Sequence, residues 1–234
     1  MFEQMNNNKV YIKGKILTAP KFTHQVYDEE FYEIDVEVPR LSESVDIIPI
    51  TISNKILNES ELKIGDTLSI NGQFRSYNKQ VDGKSKLVLT VFAREILENS
   101  SDEGENPNTI DLVGFVCKEP IFRTTPFKRE ISDVLIAVNR AYNKSDYLPC
   151  IAWGRNARFV KNLKVGEKVV LSGRIQSRLY EKRLDDETVE KRTAYEISIT
   201  KISQAGVEEK EFVSENYAMM SQQMNDTTNY TGAN

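Results

Sequence analysis

Hydrophobic and polar residues alternate with a period of two over several short stretches of the chain, which is typical of β-strands with one buried face. Two stretches in the first half would bury the rows Val10, Ile12, Gly14 and Ile16, and Leu68, Ile70, Gly72 and Phe74. Each row contains a glycine, which lets a strand bend where a small barrel turns a corner. The pattern therefore predicts bent strands of a small barrel.

The same pattern recurs in the second half of the chain as an internal repeat. Residues 8–14 align with residues 108–114, and residues 62–65 align with residues 163–166 after one inserted residue. The corresponding buried rows would be Ile110, Leu112, Gly114 and Val116, and Val169, Leu171, Gly173 and Ile175. Two copies of this size indicate a duplicated domain and not a solenoid.

A short helical stretch separates the third and fourth predicted strands of the second copy. Within residues 155–163, Ala157, Val160 and Leu163 are spaced for one helix face. The order strand–strand–strand–helix–strand–strand, with bent first and fourth strands, is that of an OB-fold barrel. We therefore expect an all-β protein with two five-stranded OB-fold barrels in tandem, each with one short helix between strands 3 and 4.

Composition divides the chain into four segments. Residues 98–107 are rich in Ser, Asn, Gly and acidic residues, which is typical of a flexible linker. Residues 204–234 are polar and are expected to form a disordered tail. The two domains would then span residues 1–97 and 108–203.

The charge of the whole chain, −4, conceals a basic segment. Residues 108–203 contain 18 Lys and Arg against 12 Asp and Glu, a net charge of +6. Residues 1–97 carry −2, and the linker and the tail carry −4 each. Because the charge of each domain decides which partners it attracts, the second copy is the candidate for nucleic-acid binding.

Other function classes find little support in the sequence. No apolar run approaches the roughly 18 residues of a membrane span, and the N-terminus lacks signal-peptide features, so we expect a cytoplasmic protein. No metal-ligand cluster, phosphate-binding glycine loop or nucleophile motif is found, so we expect no cofactor and no enzymatic activity. His24 is expected at the surface, residues 185–187 at a hairpin tip, and Cys117 and Cys150 as buried free thiols.

An ordered set of short motifs runs through the second copy. They are Asn-Thr-Ile-Asp-Leu-Val-Gly at 108–114, Glu-Pro at 119–120, Ala-Val-Asn-Arg at 137–140, Trp-Gly-Arg-Asn-Ala at 153–157, Leu-Lys-Val-Gly at 163–166 and Gly-Arg-Ile-Gln-Ser-Arg-Leu-Tyr at 173–180. In order and spacing these motifs resemble the bacterial single-stranded DNA-binding protein family. The resemblance implies sequence-tolerant binding of single-stranded DNA, a nucleoid-associated role in replication, recombination and repair, and a particle of four OB domains.

The resemblance also implies that three aromatic residues, Tyr142, Trp153 and Tyr180, stack on bases. Stacking suits binding without sequence preference because every base has a π-face, and each stacked base contributes about 1–3 kcal/mol. Competing interpretations are a barrel-core position for Trp153, a strand-end cap for Tyr142 and a solvent-facing hairpin position for Tyr180. Basic residues interleaved with the aromatics would neutralise phosphates: Arg140, Arg155, Arg174, Arg178, Lys182 and Arg183.

The first copy departs from these motifs. It has Ser53 at the position of Trp153, and Glu33, Asp35 and Glu37 would line the outer face of its second long strand. Carboxylates on that face would repel phosphates. We therefore predict that the first copy is chiefly an assembly domain, with Tyr77 and Arg75 as its weaker candidate DNA contacts.

Partners and alternative functions follow from the same features. Two OB domains per chain predict a homodimer, by analogy with the family's particle of four. Family members commonly end in an acidic tip that docks replication or repair proteins, whereas residues 225–234 contain one acid and no such tip. Two alternatives to a single-strand binder are an OB-fold interaction module of a primosome or recombination complex and an OB-containing nuclease, although no catalytic carboxylate cluster supports the latter.

Overall fold

The computed structural model describes residues 6–58, 62–81, 83–97, 106–183 and 189–205. The first half contains β1 (Asn8–Ile16), β2 (Lys21–Val26), β3 (Glu29–Pro39), β4 (Val45–Ser53), α1 (Asn54–Asn58), β5 (Thr67–Val81) and β6 (Lys84–Ile96). The second half contains β7 (Asn108–Val116), β8 (Ile121–Thr124), β9 (Glu130–Arg140), β10 (Lys144–Trp153), α2 (Arg155–Val160), β11 (Lys168–Arg183) and β12 (Val189–Gln204). Most of the predicted linker and nearly all of the predicted tail, residues 98–105 and 206–234, lie outside the described residues.

Each half closes into a barrel of five strands. In the first half β1 pairs with both β3 and β5, β3 with β4, β4 with β6, and β6 with β5, which completes the circle. The second half repeats the circle with β7, β9, β10, β12 and β11. The short strands β2 and β8 add to β3 and β9 outside the circle. The predicted pair of five-stranded barrels is confirmed, and the order of strands and helix is that of the OB fold.

The alternation of buried and exposed residues along the strands is also as predicted. The four inward rows named above are buried at every position, glycines included. A Cβ atom on Gly114 would lie 2.7 Å from the backbone oxygen of Ala137, so the close approach of β7 to β9 requires glycine there. The pairing register shifts at Gly72 and at Gly173, which places a bulge where each long strand leaves its barrel.

A direct strand pairing joins the two barrels. β1 pairs antiparallel with β7, with Val10 opposite Ile110 at the centre of the contact. Lys13 N–H donates to Pro107 O at 2.8 Å, and Val113 N–H donates to Asn7 O at 2.9 Å. Val10 and Ile110 are equivalent residues of the repeat, so the two barrels are related by an approximate two-fold axis through this pair.

The predicted helix of the second copy is present but short. α2 ends at Val160, and Leu163 is buried in the turn that follows, where its N–H donates to Val160 O at 3.0 Å. Ala157, Val160 and Leu163 all pack into the core, as their spacing predicted. Neither helix in the described ranges is long enough to cross a membrane. Cys150 is a buried free thiol, as predicted, whereas Cys117 is only half-buried.

Candidate nucleic-acid interface

Trp153 lies on the surface of the C-terminal barrel at the end of β10. Its side chain is 40% exposed, so the alternative of a barrel-core tryptophan is wrong. The next residue, Gly154, adopts a φ of 53°, a left-handed conformation that glycine accommodates readily. This turn leads directly from β10 into α2 and leaves the indole on the outside of the barrel.

Tyr180 lies on a two-stranded extension of the same barrel. β11 pairs with β7 only as far as Gly173, and beyond that point it pairs only with β12. We call this extension, residues 176–183 of β11 with residues 189–196 of β12, the C-terminal arm. Tyr180 is exposed on the arm, and the guanidinium carbon of Arg178 lies 5.9 Å from the centre of its ring. A base can stack beside a cation in this arrangement.

Tyr142 occupies the turn between β9 and β10 and is 79% exposed. Both Tyr142 and Asn143 adopt a positive φ, 61° and 54°, in this turn. A left-handed conformation is uncommon for a tyrosine, and the tight turn projects its ring away from the barrel. Tyr142 and Trp153 lie at opposite ends of β10, so at about 3.3 Å per residue roughly 30 Å separates their backbones.

The side chains of four of the six predicted basic residues are described, and these four fall into two groups. Arg155 is exposed at the start of α2, and Arg178 is exposed on the arm, where its Nε lies 3.9 Å from Glu196 Oε1. Arg140 and Arg174 instead form ion pairs with buried carboxylates, at 3.2 Å to Asp146 and 3.0 Å to Asp46 respectively. The side chains of Lys182 and Arg183 lie outside the described part of the structure, as does the acidic run at residues 185–187.

The outer face of the N-terminal barrel carries the carboxylates that the alternation predicted. Ile34 and Val36 are buried, whereas Glu33 and Asp35 lie on the opposite side of β3. Burial and the charge of Asp35 raise the pKa of Glu33, and Lys79 and Lys21 partly offset this shift. Tyr77 is 42% exposed, and its partial burial, with a smaller contribution from the charge of Glu33, raises its pKa.

A cluster of aromatic and basic side chains on this barrel was not predicted from the sequence. Arg75 lies over Phe92, with its guanidinium carbon 4.1 Å from the ring centre, and Arg94 lies 5.4 Å from the same ring. Phe31 contacts Phe92 at a centroid distance of 5.5 Å, and the exposed His24 stacks on Phe31 at 4.9 Å. Arg75 is thus held within the protein, and burial with the charges of Arg94 and Arg140 lowers its pKa to about 10.

Two further candidates on the C-terminal barrel were also missed. Tyr147 is exposed on β10, six residues before Trp153 and therefore on the same face of that strand. Arg192 stands opposite Tyr180 in the β11–β12 pairing and forms an ion pair with Glu190 at 2.6 Å. The even spacing from Trp153 was a signal that could have identified Tyr147, whereas the position of Arg192 depends on the hairpin register.

The arrangement can bind an extended anionic chain with flat side groups. Aromatic rings at three separate places, Tyr142, Trp153 and Tyr180, lie on the more basic barrel. Within the described ranges, no three His, Cys, Asp or Glu side chains are grouped so that they could hold a metal ion. Fold and surface together define a tandem OB-fold protein whose second barrel is the more basic one and carries exposed aromatic residues.

Comparison with known proteins agrees with this class. Residues 107–204 match the model of the Single-strand binding protein family, which confirms the resemblance seen in the motifs. Single-stranded DNA-binding protein A of Bacillus subtilis (strain 168) is 36% identical over 81 residues, which are 32% of this chain and 47% of that protein. Single-stranded DNA-binding protein 1 of Staphylococcus aureus (strain COL) is 36% identical over 81 residues, 32% of this chain and 48% of that protein. The match thus spans about half the length of these relatives.

The fold has a counterpart among solved structures. The wild-type single-stranded DNA binding protein from Thermus aquaticus superimposes with a TM-score of 0.65 and 16% sequence identity. The superposition covers 84% of this chain and 92% of that chain, so it includes both barrels. At this identity the similarity concerns the fold, and it supports the tandem OB arrangement.

Proposed function

We propose that the protein binds single-stranded DNA without sequence preference and protects it during replication, recombination or repair. The observation that carries the proposal is the exposure of Trp153 and of the Arg178–Tyr180 pair on the barrel that matches the family model. Stacking on these rings would hold the bases, and Arg155 and Arg178 would neutralise phosphates. Binding alone performs this function, so no catalytic step is needed.

The test is a competition experiment with a fluorescently labelled oligo-dT and its anisotropy as the readout. We expect Trp153→Ala to weaken binding by about 5- to 150-fold, the equivalent of one stacked base. Tyr27→Ala is the control, because Tyr27 is an aromatic residue that is 93% exposed on the first barrel, outside the proposed site. Unlabelled single strands should displace the probe and duplex should not. Equal competition by duplex would contradict the proposal, and an RNA competitor measures the preference between DNA and RNA.

We propose the four segments 1–97, 98–107, 108–203 and 204–234 as domain, linker, domain and tail, with the first domain serving chiefly assembly. Two observations support this role. Glu33 and Asp35 lie on the outer face of this domain, and the guanidinium group of Arg75 packs over Phe92. A homodimer would bring four barrels together. Light scattering at micromolar concentration should give the mass of two chains, and a single-chain mass would contradict the dimer.

The alternative function, an OB-fold interaction module, is supported by the same acidic face of the N-terminal barrel. A protein that acts only through such a face should bind nucleic acid weakly and with little dependence on salt, because few phosphates are neutralised. The salt dependence of oligo-dT binding therefore separates the two functions.

A further inference from the structure

Each barrel contacts the long hairpin of the other through a buried aspartate. Asp46 on β4 has a side chain only 1% exposed, and its Oδ1 accepts the N–H of Ser177 on the C-terminal arm at 2.7 Å. Asp146 on β10, with a side chain 0% exposed, accepts the N–H of Ser76 on β5 at 2.7 Å in the same way. Asp46 and Asp146 are 100 positions apart, so the contact is repeated by the approximate two-fold axis.

The Asp46 contact is the more complete of the two. Arg40 donates to both oxygens of Asp46, at 2.8 and 2.6 Å, and Arg174 of the other barrel donates to Oδ2 at 3.0 Å. Arg40 also donates to the backbone oxygen of Ser177 at 3.1 Å, so both the N–H and the C=O group of Ser177 are hydrogen-bonded to the first barrel. Ile47 N–H adds a bond to Ser177 Oγ at 3.2 Å.

The Asp146 contact lacks part of this set. Arg140 donates to Oδ1 at 3.2 Å, but Oδ2 of Asp146 is buried with no hydrogen-bond partner within the described ranges, and so is Nε of Arg75. Burial of the carboxyl raises the pKa of Asp146, although Ser76 N–H and the charges of Arg140 and Arg75 oppose this shift. The two contacts thus share one geometry and differ in how well the carboxylate is satisfied.

The better contact lies at the base of the arm that carries the candidate DNA-binding residues. Ser177 precedes Arg178 and is three residues before Tyr180, and this part of β11 pairs only with β12. A two-stranded hairpin is marginally stable by itself, so its direction depends on what holds its base. Asp46 is the group of the first barrel that accepts the N–H of Ser177 there.

We propose that Asp46 is a positioning residue for single-stranded DNA binding, through which the N-terminal barrel holds the C-terminal arm so that Arg178 and Tyr180 face the bound strand. The first barrel then contributes to binding without touching the DNA. This inference rests on the proposed function of the second barrel. The proposal explains why Arg174, a predicted phosphate contact, is directed at a buried carboxylate. Arg174 is part of the set of hydrogen bonds around Asp46 that holds the arm, which we call the anchor.

The test is a double-mutant cycle between Asp46 and the two residues that it is proposed to orient. Asp46→Asn should weaken oligo-dT binding about tenfold in the wild-type background, equivalent to one stacked base. In the Arg178→Ala/Tyr180→Ala background the same change should cost less than about twofold, since the oriented groups are gone. Asp146→Asn is the matched control and should cost less than about threefold. An equal loss in both backgrounds, or no loss at all, overturns the proposal.

A second measurement follows the arm itself and needs no DNA. Hydrogen–deuterium exchange of amides 177–183 should become faster in Asp46→Asn and stay unchanged in Asp146→Asn. If Asp46→Asn does not fold, Arg40→Met/Asp46→Leu/Arg174→Met removes the anchor without leaving a buried charge, and it should show the same loss of protection. Unchanged exchange overturns the anchor. If the wild type does not bind oligo-dT, the proposed function is wrong, and the exchange result still decides whether Asp46 anchors the arm.

Discussion

The side chain of Asn108 and the backbone of Ile175 exchange two hydrogen bonds. Asn108 Nδ2 donates to Ile175 O at 2.7 Å, and Ile175 N–H donates to Asn108 Oδ1 at 2.8 Å. Asn8 makes the same pair of bonds with Phe74, at 2.7 and 3.0 Å. The asparagine therefore acts as a substitute strand partner just beyond each bulge, where the long strand leaves its barrel.

Replacing Asn108 by alanine should destabilise the protein by about 2–4 kcal/mol, because one buried donor and one buried acceptor lose their partners. Urea unfolding followed by circular dichroism measures this change in the free energy of unfolding. Asn78→Ala, at an exposed position of β5, is the control and should change it by less than about 0.5 kcal/mol. Equal stability of the two variants would contradict the role of Asn108 as a substitute strand partner.

The sequence was sufficient to predict the barrels because their cores follow a strict period of two. The rows that contain Gly14 and Gly114 are buried as predicted, and the helix face of Ala157 and Val160 is as well. The joint between the barrels was not predicted, since the pairing of β1 with β7 leaves no periodic signal. For the same reason the sequence could not show that Arg140 and Arg174 meet buried carboxylates.

Tyr195 should make the protein sensitive to alkaline pH. Burial, with the charges of Asp35 and Glu33 of the other barrel, raises its pKa from 10.0 to about 12. Above pH 10 the unfolded chain loses this proton first, so the stability that the raised pKa provides is fully present below 10 and is lost as the pH rises to 12. A shift of this size corresponds to about 2–3 kcal/mol.

Comparison of the wild type with Tyr195→Phe measures this effect directly. The difference in their free energies of unfolding should change by about 2–3 kcal/mol between pH 10 and 12, because phenylalanine cannot titrate. Tyr27→Phe is the control at a strongly exposed side chain. Parallel stability curves for the wild type and Tyr195→Phe would show that the burial of Tyr195 has no such consequence.

Two neighbours on the C-terminal arm should respond differently to substitution. Tyr180→Ala should weaken oligo-dT binding by about 1–3 kcal/mol, whereas Leu179→Ala should leave it nearly unchanged. Leu179 is 76% exposed, but successive residues of a strand point to opposite faces, so it lies on the other side of the arm. Isothermal titration calorimetry with oligo-dT measures both variants, and a larger loss in Leu179→Ala would place the DNA on the opposite face.

The N-terminal barrel should tolerate loss of its two weaker candidates. We expect Arg75→Gln/Tyr77→Ala to change oligo-dT affinity by less than about twofold. Stability should fall by about 0.5–2 kcal/mol, because Arg75 no longer lies over Phe92. Anisotropy and urea unfolding of the same preparation separate the two effects. A marked loss of affinity or of site size would show that the first barrel contacts DNA.

The central claim, that bases stack on the second barrel while its cations neutralise phosphates, is tested most directly by Trp153, the one tryptophan of the chain. Oligo-dT is titrated into the protein, and tryptophan fluorescence is followed at about 50 and about 200 mM salt. We predict strong, saturable quenching and, for about three neutralised phosphates, an affinity about twentyfold lower at the higher salt. Unchanged fluorescence together with no shift of the oligonucleotide in a gel would contradict the claim.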